Sequence, residues 1–424
     1  MKVLLISANT EHLNIPPIAI GLGCVAEAAR RSGHDVIMTD LLVQDNYHQV
    51  IKEAIKGFKP EVIGISVRNI DDQIREQTRF LLAYVKNVIA ACKKFSSAPI
   101  VLGGAGYSIF PQKTLIYLGA EMGIQGEGEQ AFPILLEKLR KGSDLSNVPG
   151  LYLFNKGRQG KRTFIKDLDN ILLPEPDVWP VSVLKNRQIP IPVQTRRGCP
   201  MKCSYCSTPA IEGILIRKRS PELVAKWIAR WVDAGCSQFF FVDNTFNLPS
   251  SYAEALCDQL ISLKLDIKWD CILYPKNVDE KLVSLMARAG CKNVSLGFES
   301  GSENILNIMN KKFTPDEIRE ASYLLAKNDI RQMGFLLLGG PGETRETVQQ
   351  SLDFVDAMKP DSLKVTVGIR IYPDTPLSKY AAEKGVIAPY DDLLFPTFYL
   401  EKELENWLPK TVAKFMAKRP WVET

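Results

Sequence analysis

Arg197-Gly-Cys-Pro-Met-Lys-Cys-Ser-Tyr-Cys-Ser207 places three cysteines, Cys199, Cys203 and Cys206, in one short loop. Thiolate is the soft ligand that iron–sulfur clusters select, and three sulfurs this close in sequence can wrap one face of a cubane cluster. An electron-transfer cluster of that type takes a fourth cysteine, so a set of three leaves one iron open to an exchangeable ligand. A structural zinc loop or three buried thiols is the competing reading. Zinc asks for four ligands in paired spacings, and no second pair follows nearby.

Outward from the loop, the chain alternates short apolar runs with helical patterns on both sides. On the C-terminal side, β-rich runs recur at 192–195, 238–242, 267–272, 293–298, 332–338 and 362–371, with a helical pattern after each. That alternation predicts a partial (β/α)6 barrel, whose functional groups belong at the carboxyl ends of its strands. The cysteine loop follows the first of these strands. On the N-terminal side, buried strands are expected at 3–7, 36–38, 62–66, 100–102 and 122–124. Amphipathic helices are expected near 18–32, 47–58, 72–95, 113–118 and 130–140, which gives a doubly wound, flavodoxin- or Rossmann-like parallel sheet. The fold class is therefore α/β, read as a sheet domain over 1–142, a linker over 143–190, a barrel over 191–385 and a short cap over 386–424. In the linker, Leu151-Tyr-Leu-Phe154 and Arg162-Thr-Phe-Ile165 flank turn residues and read as a hairpin.

The 424 residues leave room for two or three domains, and the net charge of +5 is spread among acids with no basic stripe for nucleic acid. The six remaining cysteines, Cys24, Cys92, Cys236, Cys257, Cys271 and Cys291, fall singly in apolar segments and read as buried thiols. With no signal peptide and no apolar stretch long enough to span a bilayer, they point to a cytoplasmic chain. All three histidines, His12, His34 and His48, lie near the N-terminus. The cysteine half therefore has no imidazole for metal or proton work.

The Cys-x3-Cys-x2-Cys spacing, with Tyr205 before the last cysteine, resembles the radical SAM superfamily, in which the open iron chelates S-adenosylmethionine (SAM). The turns Gly103-Gly-Ala-Gly-Tyr107 and Gln125-Gly-Glu-Gly-Glu129, after the fourth and fifth strands, resemble the cobalamin-binding domain that precedes many such barrels. The same turns also suit a plain flavodoxin-like sheet. Histidine-ligating members carry Asp-x-His-x-x-Gly, whereas His48 lies in Asp45-Asn-Tyr-His-Gln-Val50, so no histidine of that motif would reach cobalt.

The resemblance implies a [4Fe-4S] cluster on Cys199, Cys203 and Cys206. Around SAM it implies Asn244, Glu299, Ser300, Tyr205, Gly339 and Gly340, with Arg219 favoured over Arg217 as the cation facing the SAM carboxylate. For cobalamin it implies Gly103, Gly104, Gly126, Glu127 and Gly128. Arg68 would approach the lower face of cobalt, with Asp71 or Asp72 as an ion partner. A surface salt bridge with either acid is the alternative for Arg68, and a helix N-terminal carboxylate is the alternative for Glu299.

The implied activity is a cobalamin-dependent radical SAM methyltransferase acting on a small molecule and fed by a one-electron reductant such as flavodoxin or ferredoxin. A non-methylating rearrangement, cyclisation or oxidation stays open, as does a cobalamin- or iron-binding sensor without catalysis. A methylthiotransferase would carry three more cysteines in the first domain, which holds only Cys24 and Cys92. No acid or base is assigned. Aromatic residues of 386–424 are expected to pack over the barrel mouth.

Overall fold

The computed structural model describes residues 1–10, 18–44, 46–179, 181–186 and 188–423. Most of the loop expected at 8–17, with His12, lies outside them, as does Asp45.

The N-terminal unit runs β1 (Lys2–Ser7), α1 (Ile20–Arg31), β2 (Asp35–Asp40), α2 (Tyr47–Phe58), β3 (Val62–Ser66), α3 (Leu82–Phe95) and β4 (Ile100–Gly103). It continues through α4 (Ala105–Ile109), α5 (Pro111–Leu118), β5 (Met122–Ile124) and α6 (Gly128–Lys141). Its strands lie in the order β2-β1-β3-β4-β5, all parallel. Helices cover both faces, so Val3 to Ile6 form an unbroken apolar run and are fully buried. The order reverses between β1 and β3, which makes their carboxyl ends, at Ser7 and Ser66, the switch point where such sheets hold ligands.

Two local expectations are corrected. Helix α3 starts at Leu82 and not near Asp72, because the carboxylates of Asp71 and Asp72 accept the N–H groups of Gln73 and Ile74 and hold a turn there. The linker hairpin is β6 (Leu151–Leu153) with β7 (Gly157–Arg158); residues 162–165 are not a strand. Gly157, at φ +66°, turns the chain early. Strand β6 then pairs antiparallel with β5, so the hairpin extends the first sheet.

The second unit begins with α7 (Val181–Asn186), β8 (Ile191–Val193), β9 (Arg196–Arg197), α8 (Thr208–Glu212), β10 (Arg217–Lys218), α9 (Pro221–Asp233) and β11 (Gln238–Phe241). It goes on with α10 (Ser250–Ser262), β12 (Lys268–Leu273), α11 (Glu280–Arg288), β13 (Cys291–Glu299), α12 (Glu303–Ile308), α13 (Pro315–Lys327) and β14 (Arg331–Leu338). It closes with α14 (Arg345–Met358), β15 (Ser362–Val367), β16 (Ile369–Arg370), α15 (Pro376–Glu383), β17 (Phe398–Tyr399), α16 (Leu408–Ala417) and β18 (Val422–Glu423). Strands β8-β11-β12-β13-β14-β15 form the parallel series of a partial barrel, and β18 adds a seventh parallel strand at its edge.

Burial along these strands has period two. Val294, Leu296 and Phe298 of β13 are buried in the core shared with the helices, whereas Asn293, Ser295, Gly297 and Glu299 are only half-buried on the opposite face. Strands β12, β14 and β15 repeat the pattern. The barrel lumen is thus incompletely filled and carries polar groups, as a reaction chamber needs.

The C-terminal segment does more than cap. Strand β17 pairs with β16, and β18 joins the barrel sheet. Phe395 meets Phe80 and Tyr117 of the first unit at centroid distances of 4.8 and 5.9 Å. The six scattered cysteines are all buried and free, and among the described residues no helix is long and apolar enough to cross a membrane.

Candidate functional site

The cysteine loop is fixed at both ends by backbone geometry. Gly198 sits at φ +90°, where an added Cβ would come within 2.1 Å of the Leu215 carbonyl, so only glycine fits. Its N–H donates to Glu212 Oε2 at 3.1 Å. Ser204 N–H donates to the Met309 carbonyl, and Asn310 Nδ2 reaches the Lys202 carbonyl at 2.7 Å, which ties the loop to the segment after β13.

All three thiols are half-buried and free. Burial raises the Cys199 and Cys203 thiols above the ordinary range, and each of the two senses the other sulfurs of the trio. Thr208 N–H points at Cys206 Sγ from 3.5 Å, the kind of contact that stabilises a ligating sulfur. Among the described residues no three His, Cys, Asp or Glu side chains close around a single ion. A soft donor set of three sulfurs in one loop fits a cubane cluster.

Two acids of the first unit bind the base of this loop. Arg197 donates to Glu129 at 2.5 Å, and its Nη1 lies 3.4 Å from Glu127; Arg217 Nη1 is 2.6 Å from Glu127. All four side chains are nearly or fully buried. Burial alone would raise Glu129, but the Arg197 guanidinium outweighs it and leaves the carboxyl below its usual range. Glu127 also accepts the Ile165 N–H at 2.6 Å. Glu127, expected near cobalamin, lines the cavity described next, and its carboxylate is bonded to two arginines and the linker.

Between the two sheets lies a cavity of about 430 Å³. One wall is the carboxyl edge of the first sheet, with Ser66, Arg68, Gly103, Gly104, Gly126 and Gly128, and it deepens past Leu5, Gly64, Val101 and Phe132. The facing wall is Gln194, Thr208, Ile211, Glu212, Val242 and Asn244, beside the cysteine loop. Gly104, at φ +100°, lies where a Cβ would meet the Val67 carbonyl at 2.5 Å, so the β4 turn can hug its neighbour and leave the cavity open.

Arg68 reaches the cavity from the switch point. Its expected partners are otherwise engaged: Asp71 binds Arg370 at 2.8 Å and Asp72 binds Arg79 at 3.0 Å. Among the described residues no carboxylate comes within ion-pair distance of Arg68. Desolvation lowers its pKa, opposed only by the field of Asp40.

The residues expected around SAM separate into two groups. Asn244 faces the cavity and donates to Glu212 Oε2 at 2.8 Å. Burial raises the pKa of that glutamate. Glu299 ends β13 at φ +67°, with Lys311 Nζ 3.3 Å from its Oε1 and the Tyr205 ring beside the same ammonium.

The others are engaged within the fold. Ser300 is fully buried, bonded to Ser351 Oγ at 3.0 Å and to the Ser302 N–H, so its hydroxyl faces α14 and not the cavity. Arg219 is 1% exposed and donates to the Leu168 and Ile171 carbonyls, because the linker folds over it. Gly339 and Gly340 give their N–H groups to Glu343, and residues 400 and 369 pack against them. Their polar groups are occupied within the fold. Arg197, Glu212 and Lys311 were not singled out from sequence; only their closeness to the cysteine loop and to the Glu299 strand end marked them.

Two family models match in chain order: a B12 binding domain over residues 6–136 and the radical SAM superfamily over residues 193–355. The chain is 27% identical to an uncharacterized methyltransferase of Pyrococcus horikoshii, over 99% of this chain and 91% of that one. It is 24% identical to a tryptophan 2-C-methyltransferase of Streptomyces laurentii, over 90% of this chain and 74% of the relative. In fold it is similar to the radical S-adenosylmethionine methyltransferase TsrM from Kitasatospora setae, solved with tryptophan and a SAM analogue. The TM-score is 0.87 at 22% identity, over 98% of this chain and 88% of that one.

Proposed function

The chain belongs to the radical SAM superfamily and carries a B12 binding domain ahead of its radical SAM domain; from that premise we propose that it is a methyltransferase moving a methyl group from SAM, by way of cobalamin, to a carbon of a small-molecule substrate. The carrying observation is that one cavity has the glycine-rich strand ends of the first sheet on one wall and Thr208, Glu212 and Asn244, beside the cysteine loop, on the other. Two cofactor chemistries can meet there without crossing solvent.

When bound, the cluster and cobalamin supply reductive cleavage of SAM and a transferable methyl group. Cys199, Cys203 and Cys206 would hold the cluster, and the open lumen-side end of β13 offers Glu299 to the SAM amine. Asn244 and Glu212, already hydrogen-bonded to each other, would orient the methionyl part. Charge-assisted contacts of this kind are the strong ones and fix orientation as well as affinity. Arg68, which reaches the cavity from the switch point, would offer cobalamin held there a positive charge but no lone pair. A substrate bound in the cavity between the two sheets would limit the access of water to reactive carbon intermediates.

The substrate is a small molecule, and an indole such as tryptophan, the substrate named for the Streptomyces relative, is the first to try. A flavodoxin- or ferredoxin-type protein would supply single electrons, in the cytoplasm. The test is anaerobic reconstitution with iron, sulfide and cobalamin, followed by reaction with methyl-deuterated SAM. A product heavier by one labelled methyl group supports the reading; SAM cleavage with a product lacking the label would favour rearrangement or cyclisation. No SAM consumption by a fully loaded, reduced protein would favour the sensor.

A further inference from the structure

Among the described residues, Lys311 is the one buried lysine, and the proposed reaction does not use it. It is 7% exposed, and lysine is seldom buried without a counter-charge. Its surroundings are few: Glu299 Oε1 at 3.3 Å, the Tyr205 ring at 5.4 Å and the Phe313 ring at 6.0 Å. Tyr205 stands in the cysteine loop between Cys203 and Cys206, so the ammonium over its ring lies against that loop. Glu299 holds a left-handed backbone conformation that non-glycine residues rarely adopt, so something must hold it there.

Resting on the cluster assignment above, we propose that Lys311 is a positioning residue that sets the electron affinity of the cluster: its fixed positive charge, held by Glu299 over the ring of Tyr205 in the cysteine loop, favours the reduced state. Adding one electron to a thiolate-bound cluster adds one negative charge. In a site shielded from water, a cation beside the cysteine loop stabilises that charge far more than it would in solvent. The electron comes from an external one-electron donor and no proton need accompany it. Held by Lys311, the second oxygen of Glu299 stays free for a cationic ligand group, so one lysine serves both the cluster and the carboxylate beside it.

The test uses the full chain, reconstituted with iron and sulfide, as wild type, Lys311→Met, Lys311→Gln and Lys311→Arg. Iron content and SAM cleavage by the wild type establish the cluster separately; their failure would remove the underlying assignment and not this step. Reduction is then followed by the electron paramagnetic resonance signal of the reduced cluster against applied potential. At a fixed potential near the wild-type midpoint, the neutral variants should show at least a tenfold lower reduced-to-oxidised ratio, about 59 mV for a one-electron couple. Lys311→Arg should return towards wild type. A neutral variant that holds full iron and keeps the wild-type midpoint overturns the proposal. So does loss of iron from both neutral variants, because the lysine would then be structural.

Discussion

Arg197 and Glu129 meet at 2.5 Å across the boundary between the two sheets, and the arginine stands two residues before the first cysteine of the loop. The first unit thereby holds the cysteine loop through a buried ion pair, and the loop's geometry depends on both domains being folded together.

Glu129→Gln should therefore destabilise the protein by about 1.5–3 kcal/mol, since the buried guanidinium loses the nearer of its two carboxylates and keeps only Glu127. The folded-state pKa of Glu129 is depressed, so its contribution is present above the unfolded value, near 4.5, and is lost as pH falls through the lower folded value. Denaturant midpoints measured downward from pH 5 should fall more steeply in wild type than in Glu129→Gln. Parallel curves would remove the ion pair from the stability of this boundary.

Replacing any of Cys199, Cys203 or Cys206 with Ala should abolish deoxyadenosine formation and leave the fold near native, because the thiols are half-buried at a loop and not core. Circular dichroism checks the fold and chromatography the product. Substantial SAM cleavage by a single-alanine variant would sink the cluster assignment.

Both sheets were legible in the sequence because strand and helix periods differ and the alternation is long. What was not legible depends on contacts far apart in the chain. Arg217 meets Glu127 over 90 residues, and Arg219 is buried by a linker 48 to 51 residues before it. A cation just after the cysteine loop looks free to face a ligand until the linker is laid over it. Ser300 is a related case. A hydroxyl at a strand end reads the same whether it faces the lumen or the helix behind, and its bond to Ser351 on α14 decides. Lys311 left no periodic signal at all, and only the turn that brings it back to Glu299 reveals it.

Glu299→Gln should weaken SAM binding by about 1.5–3 kcal/mol, the cost of one charge-assisted contact. Arg219→Met and Ser300→Ala should bind SAM as wild type does and lose stability instead, since both side chains are bonded within the fold. Calorimetric titration with SAM compares the three. Equal affinity in Glu299→Gln and wild type would move the SAM site away from the end of β13.

Glu343 carries an acid opposite in sign to Glu129. Its Oε2 accepts from the N–H groups of Gly339 and Gly340, but Oε1 is buried without a partner, and burial pushes the carboxyl up to about 7. The unfolded chain releases this proton near 4.5 while the folded one keeps it, so wild-type stability should decline as pH rises from about 4.5 to 7. At 1.36 kcal/mol per pKa unit the decline is roughly 2–4 kcal/mol. In Glu343→Gln that component should vanish. Persistence of the same decline in the variant would place its origin elsewhere.

Arg68 carries the last prediction. It is a guanidinium at the switch point of the first sheet, lining the cavity, and both acids nearest in sequence are bound to other arginines. Among the described residues no carboxylate pairs with it and the residue is exposed, so a ligand in the cavity would meet an uncommitted cation. If it underlies the corrin, cobalt should have no protein nitrogen on its lower face, and the cob(II)alamin spectrum of the wild type should lack nitrogen splitting. Removing the cation should then let water or another donor approach, changing that spectrum and slowing methyl transfer by tenfold or more, while the cluster signal and iron content stay as in wild type. Arg68→Lys, which keeps the charge, should recover part of the rate. A protein nitrogen signature in wild type, or an unchanged spectrum and rate in Arg68→Ala, would leave Arg68 as a surface residue of the cavity rim with no part in the chemistry.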